Sequence, residues 1–302
     1  MHFSIGNKQE GATFKLSSGE QVVFGQKDTY WYRRGSLKIG SRPPDAASDG
    51  NAHRIHSALR MELSSIESYL DFYLSSSTSS IGRFEEQFTN RLTNLSIAKK
   101  CGLDIPETIV SNDVDQIVEF YHANHGQIVT KMIGSVPPQK YFELIGLEVS
   151  GGFGTHLLTN ADMEKLKTSY RDVIPLPAFF QKYVSKKIEI RVFFLGSSLY
   201  PMAIFSQSNP RTRVDYRRQD RKQPNRLVPY KLPFPIERKI LKTMEEAGLD
   251  CGSIDLILHP DDKYYFLEVN PIGQYQWLAR NCNYDIDRAI AKRLLCNSKT
   301  YD

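Results

Sequence analysis

The sequence predicts an α+β protein with an N-terminal piece followed by a larger two-part unit. Three observations carry this. Strand-like and helix-like patterns are mixed along the 302 residues. One long amphipathic helix stands near the N-terminus, with Ile55, Leu59, Leu63, Ile66, Leu70 and Leu74 at helical spacing. Two apolar strands joined by a short polar turn lie near the C-terminus.

In chain order, residues 11–40 read as short strands with Gly-containing turns, closing on Thr29-Tyr30-Trp31-Tyr32-Arg33-Arg34-Gly35. Residues 41–50 read as a loop. After the amphipathic helix and a Ser-rich break at 75–80, a second helix is expected over about 86–101, ended by Gly102-Leu103-Asp104-Ile105-Pro106. From Glu107 strands and helices alternate. Asn112 or Asp113 caps a helix through about Asn124, Gln127 to Met132 is a strand, and Gly134 to Pro138 is a loop. Two further strands and a helix from about Ala161 lead to Pro175-Leu176-Pro177. Phe179 to Tyr183, Glu189 to Leu195 and Leu199 to Ser206 are expected in one sheet, followed by helices at 236–247 and 284–296.

The chain is long enough for a sizeable core, and 40% of its residues are hydrophobic, which excludes a disordered protein. No run approaches the roughly 18 apolar residues of a membrane span, and Met1-His2-Phe3-Ser4-Ile5-Gly6 is not a signal peptide. Cys101, Cys251, Cys282 and Cys296 show no CxxC spacing, so reduced thiols in a cytoplasmic protein are expected. The net charge of +5 is concentrated at Arg211, Arg213, Arg217, Arg218, Arg221, Lys222, Arg226 and Lys231, which points to an acidic partner. That cluster holds one aromatic, Tyr216, before Tyr230; without a stacking ladder, nucleic acid is disfavoured.

The most informative stretch is Tyr264-Tyr265-Phe266-Leu267-Glu268-Val269-Asn270-Pro271. Side chains alternate along a strand, so Phe266, Glu268 and Asn270 should share one face. The strand at Ser253 to Leu258 precedes it, with His259-Pro260-Asp261-Asp262-Lys263 as a hairpin turn. If the turn centres on Asp261-Asp262, Asp255 sits opposite Glu268. Directly opposed carboxylates repel, so something positive should lie between them. Asp255, Glu268 and Asn270 offer hard oxygen donors on one sheet face, suited to Mg²⁺ shared with nucleotide phosphates. Solvated residues on an exposed strand are the alternative.

Ile128-Val129-Thr130-Lys131-Met132 plants one lysine in an apolar strand. It suits a phosphate, or it is an edge lysine with its head in water. Gly134-Ser135 and Gly151-Gly152-Phe153-Gly154-Thr155 could close over phosphates or simply turn. Glu189 and Arg191 share a strand face; a cross-sheet salt bridge and a clamp on a transferring phosphoryl group both fit Arg191. No P-loop, Rossmann fingerprint, HExxH or GxSxG is present.

Taken in order, the strand lysine, the Gly-rich loop, Gln181-Lys182-Tyr183-Val184, Glu189-Ile190-Arg191, Asp255 and Glu268-Val269-Asn270-Pro271 resemble an ATP-grasp ligase. The resemblance is strongest to the graspetide synthetases, relatives of the microviridin ligases, and within them to the grasp-with-spasm peptide maturases. It rests on Trp31 to Gly35, Val214-Asp215-Tyr216-Arg217, Asn225 to Pro233, Cys251 to Asp255 and Phe266 to Tyr275, and it spans roughly 30–296.

The resemblance implies an ATP-grasp fold, two α+β subdomains clasping ATP, behind a shortened N-terminal region. The expected divisions are 1–85, 86–178 and 179–302. It implies that Asp255, Glu268 and Asn270 hold Mg²⁺, as two ions, and that Lys131 binds phosphate. Gln181, Tyr183 and Val184 would contact adenine, Glu189 the ribose or purine, and Arg191 the γ-phosphate. Asp215 and Arg217 would serve the substrate side, with Asp215 as candidate base. Two departures stand out. Only 30 residues precede Trp31, where such enzymes usually carry another strand–helix unit; and Asn90-Arg91 stands where relatives often have Asn-Lys.

The implied function is ATP-dependent closure of side-chain ester or amide rings in a ribosomal precursor peptide bearing acidic and Ser/Thr or Lys residues. Addition of a free amino acid such as glutamate, a nucleic-acid-binding protein and a degenerate ATP-binding scaffold are the rivals. The sequence leaves monomer and homodimer open.

Overall fold

The computed structural model describes residues 2–4, 11–15, 18–24, 28–35, 52–77, 79–134, 138–147, 154–218 and 220–297. The expected loop at 41–50, Ser135 and Gly151-Gly152-Phe153 lie outside them. Contacts divide the chain into two compact units, 1–88 with 285–302, and 89–284.

In the first unit, β1 (His2–Ser4), β2 (Gly11–Lys15) and β3 (Gln21–Val23) form an antiparallel sheet. β4 (Thr29–Trp31) is followed by α1 (Ala52–Ser77) and pairs in parallel with β5 (Ser79–Ile81). Asp71 of α1 is buried, and its Oδ1 accepts from the Tyr30 hydroxyl at 3.0 Å and the Phe84 backbone N–H at 2.8 Å. This single carboxylate pins helix, strand and the chain after β5.

The second unit opens with α2 (Arg91–Lys100). The helix begins later than the expected 86, because Asn90 caps it: its side-chain oxygen accepts from Leu92 N at 2.8 Å and Thr93 N at 3.3 Å. Glu85–Phe88 is a separate 3₁₀ turn. β6 (Thr108–Asp113), α3 (Val114–Ala123), β7 (Ile128–Lys131), α4 (Pro138–Leu144), β8 (Thr155–Leu157), α5 (Asn160–Ser169) and β9 (Val173–Lys182) follow. They build an antiparallel sheet of order β6-β9-β7-β8.

Two expectations are corrected here. Before the helix at Asn160 the described residues hold one helix and one strand rather than the two strands expected. Pro138 opens α4, and Tyr141, Phe142 and Ile145 bury one helical side although the run is rich in strand formers. The segment Phe179 to Tyr183 does not join the following sheet: β9 pairs with β6 and β7. It also runs through Pro175 and Pro177, which face outward where the pairing with β6 is irregular.

β10 (Ile188–Leu195), β11 (Ser198–Phe205), β12 (Arg226–Pro229), α6 (Phe234–Glu246), β13 (Cys251–Leu258), β14 (Tyr264–Asn270) and α7 (Gln276–Cys282) complete the unit. Their sheet has the order β12-β11-β10-β13-β14. One face is core: Ile190, Val192 and Phe194 pack with Ile254, Leu256 and Leu258, under Ile240 and Met244 of α6 and Leu95 and Ala98 of α2. The opposite face carries Glu189, Arg191, Asp255 and Ile257, and it is the face that matters for chemistry. α8 (Ile286–Asn297) returns to the first unit and packs on β4 and β5.

Candidate active site

The β13–β14 hairpin sets the centre of the site. Its turn has Asp262 in the left-handed region at φ 64° and His259 N–H bonded to Lys263 O at 2.9 Å. Asp255 stands opposite Glu268, as expected, and Ser253 opposite Asn270, but the turn centres on Asp261 rather than between Asp261 and Asp262: Leu258 pairs with Tyr264, and one extra residue in β14 restores the Asp255–Glu268 pair. The strict alternation expected for β14 does not hold. The register slips between Asp255 and Leu256, so Leu256 pairs with Phe266 and Leu267 is the extra residue of a bulge. Phe266 and Val269 are core, whereas Leu267 and Glu268 both line a cleft. Phe266 therefore does not share the face of Glu268. The bulge re-aims the carboxylate without exposing the apolar residues beside it.

The cleft lies wholly within the second unit. It is lined by Lys131 of β7, Gln181, Tyr183 and Val184 at the end of β9, Glu189 of β10, Asp215 and Arg217, Asp255 and Ile257 of β13, and Leu267 and Glu268 of β14. Segments distant in sequence thus converge. Of the residues singled out from sequence, Arg191 and Asn270 are not in the lining; Arg191 sits directly behind it, opposite Asp255 on β10, and Asn270 is exposed at the strand end.

Each carboxylate meets a guanidinium. Arg191 Nη1 donates to Asp255 Oδ1 at 2.8 Å, the cross-strand salt bridge weighed above. Arg91 Nη2 donates to Glu268 Oε2 at 2.7 Å, and Arg91 Nη1 also bonds the Met132 carbonyl. Arg217 Nη1 stands 3.8 Å from Glu268 Oε1. These arginines supply the positive charge the opposed pair requires. Burial raises the Asp255 carboxyl above the usual carboxylate range, and Arg191 offsets this only in part. Burial also pushes Glu268 up, but Arg91, Lys131, Arg217 and Arg191 together outweigh it and hold Glu268 low.

Lys131 is buried, its Nζ 5.3 Å from the Phe179 ring centroid, and among the described residues no carboxylate forms an ion pair with it. Burial pulls its ammonium down to about 8, with Glu268 opposing. A buried ammonium with no paired carboxylate is costly to hold charged. Glu189 is buried and accepts from Ser206 Oγ at 2.7 Å and Lys186 Nζ at 3.2 Å; burial raises its carboxyl despite them. Gln181 donates through Nε2 to Thr108 Oγ1 at 2.9 Å.

Asp215 is fixed by its near neighbour: Arg217 donates its backbone N–H at 3.0 Å and Nε at 2.8 Å to Oδ1, and Nη2 at 2.8 Å to Oδ2. Burial would raise this carboxyl, but the Arg217 bonds win and hold it below its ordinary value.

Lys186 was not singled out from sequence, and Tyr216 was noted only as the one aromatic of the basic cluster and within the resembling Val214 to Arg217 segment, with no role in the site. Lys186 Nζ donates to Val214 O at 2.8 Å as well as to Glu189, tying the Asp215 segment to β10. A lysine three residues before Glu189, in a Lys-Lys pair, is the only signal and a weak one. Tyr216 stacks on Trp277 at 6.1 Å, a tertiary contact that leaves no local pattern.

Among the described residues no three His, Cys, Asp or Glu side chains converge on one point. A cage of protein carboxylates is absent there. Two opposed carboxylates with Asn270 two residues along, beside a buried lysine, fit Mg²⁺, which keeps water and takes its remaining ligands from phosphates.

No protein-family model matches the sequence, and no curated protein sequence matches it. Solved structures do. The macrocyclase MdnC of Microcystis aeruginosa MRC, bound with its precursor peptide MdnA, is 25% identical with a TM-score of 0.70, over 97% of this chain and 85% of that one. The chain has the ATP-grasp fold. A RiPP-associated ATP-grasp ligase of Chryseobacterium gregarium, in complex with ADP and a leader and core peptide, superposes at a TM-score of 0.74 with 24% identity, over 98% of this chain and 84% of that one. The ATP-grasp ligase PsnB, complexed with a minimal-precursor variant, Mg and ADP, gives 0.65 and 16% identity over 97% and 87%. β7 carries Lys131, the end of β9 carries Gln181, and the β13–β14 hairpin carries the Asp255–Glu268 pair.

Proposed function

We propose that the chain is an ATP-dependent ligase that closes side-chain ester or amide rings in a ribosomally made precursor peptide. The observation that carries this is the convergence of Lys131, the Gln181–Val184 hinge, the Asp255–Glu268 pair and the Asp215–Arg217 pair on one cleft. The likeness to a macrocyclase bound with its precursor peptide, over nearly the whole chain, supports the substrate class.

Asp255, Glu268 and Asn270 would hold Mg²⁺, as two ions, whose charge neutralises the phosphates. Lys131 would hold the polyphosphate, and Arg191, which sits behind the lining on Asp255, is the candidate for the γ-phosphate; Gln181, Tyr183 and Val184 would border the base, and Glu189 the ribose or purine. A precursor carboxylate attacks the γ-phosphorus and ADP leaves. A Ser or Thr hydroxyl, or a Lys amine, then attacks the acyl phosphate and phosphate leaves, so each ring costs the peptide one water. Preorganised charge and positioning supply the rate. Asp215, kept ionised by Arg217, would receive the proton of the incoming nucleophile. The exposed basic side chains of 211–231 suit an acidic peptide. No helix of the described residues is long and apolar enough to cross a membrane; a cytoplasmic location and a homodimeric assembly belong to the proposal.

The test is product mass. Protein, ATP, Mg²⁺ and a peptide rich in Asp/Glu and Thr/Ser or Lys should give a product lighter by one water per ring, with matching ADP. A product heavier by one amino-acid residue would replace this reading with amino-acid addition.

A further inference from the structure

The two carboxylates of the hairpin are not equally available. Asp255 gives one oxygen to Arg191 at 2.8 Å. Glu268 faces arginine with both: Oε2 takes Arg91 at 2.7 Å and Oε1 lies 3.8 Å from Arg217. Arg91 belongs to the first turn of α2 and also holds the Met132 carbonyl, one residue beyond Lys131. Its Nε, and the Nε of Arg191, are buried and have no hydrogen-bond partner among the described residues. The guanidinium is thus seated on Glu268 with donor capacity to spare.

We infer that Arg91 is the built-in counter-ion of Glu268, which a divalent metal must displace, so that metal and nucleotide bind as a unit and the metal does not bind first. The inference rests on the ATP–Mg²⁺ reading of the site. Stripping a cation from a largely buried carboxylate is costly unless another cation arrives. A divalent metal meets that need, but it leaves the Arg91 guanidinium unpaired in the same cleft. Only a polyanion arriving together with the metal gives the released guanidinium a partner. Metal alone therefore pays one side of the exchange, and nucleotide plus metal completes both. By linkage, whatever factor nucleotide adds to metal affinity, metal adds to nucleotide affinity.

The experiment uses the full chain and Mn²⁺ as probe, counting free Mn²⁺ by electron paramagnetic resonance with and without ADP. Wild type should bind Mn²⁺ at least about tenfold more tightly with ADP than without, within the ordinary range of coupling between sites. Arg91→Met should tighten ADP-free binding by a similar factor and flatten the ADP dependence. Arg91→Lys, which keeps the charge, should retain that dependence. Equal Mn²⁺ affinity of wild type with and without ADP overturns the inference, and that comparison needs no variant. So does a folded Arg91→Met chain whose ADP-free binding matches wild type. Absence of Mn²⁺ binding to wild type even with ADP is a different result: it removes the ATP–metal reading itself, and the inference with it.

Discussion

Glu268 carries the most consequence of any single residue. With Arg91 seated on it, Glu268→Ala does not relieve a repulsion between carboxylates, as the bare opposed pair would suggest; it strands a guanidinium. The expected outcome is loss of ADP formation and a cooperative melt lowered by about 1.5–3 kcal/mol, the worth of a hydrogen bond to a charged group. Full activity in a folded Glu268→Ala chain would remove the central argument. Lys131 gives a second test. Its ammonium drops from 10.5 to about 8 in the folded chain. Between those values the unfolded chain holds a proton that the folded chain lacks, so this group's contribution to stability rises with pH across that window. Phosphate at Lys131 would raise its value again. Nucleotide binding near pH 8.5 should then take up a proton, seen as a calorimetric heat that changes with the ionisation enthalpy of the buffer. Lys131→Met should abolish that uptake and lower ligation at least about a hundredfold. A folded Lys131→Met chain with wild-type turnover would make the lysine structural.

At the scale of elements, the end of β14 is held by a close approach. A Cβ on Gly273 would lie 2.5 Å from Ser253 Oγ and 2.9 Å from Asn270 O. Ser253 is the partner of Asn270 across the hairpin. Gly273→Ala should push the turn off β13, costing about 1–3 kcal/mol as overpacking does, and should weaken metal-dependent nucleotide binding by moving Asn270. A denaturation midpoint equal to wild type would show the turn yields freely. The same hairpin shows what sequence could and could not reveal. Asp255 opposite Glu268 was legible only in its outcome, since the turn centres on Asp261 rather than between Asp261 and Asp262 and the bulge restores the pair. The bulge was not, because Leu267 is apolar and reads as core whichever way it points. The partners of β9 were illegible for a related reason: Phe179 and Phe180 are buried in different clusters, and alternation names faces, not neighbouring strands. Arg91 could be noticed as a departure at the start of a helix, yet its partner lies 177 positions away.

For the molecule as a whole, the basic segment settles into two roles. Arg217 and Arg218 are used internally, on Asp215 and on the Thr155 carbonyl at 2.9 Å. Arg211, Arg213, Arg221 and Lys222 are exposed. They project from a firm polar scaffold: buried Thr212 Oγ1 donates to Ser206 O at 2.9 Å and meets Asn225 Oδ1 at 2.9 Å, while Asn209 Nδ2 donates to Asp220 Oδ2 at 3.1 Å. Exposed like charges that stay apart at the cost of mutual repulsion gain from an acidic partner, mainly through encounter rate. Arg221→Ser with Lys222→Ser should therefore raise KM for an acidic precursor several-fold at low salt and leave KM for ATP unchanged. Raising the salt toward 0.5 M should bring wild type and variant together, because exposed charges are screened within a few ångströms there. Steady-state kinetics on both substrates, at two salt concentrations, check this. An equal rise in both KM values would place the segment on the nucleotide side, and no change in either would leave 211–231 as a solvated face with the peptide bound elsewhere.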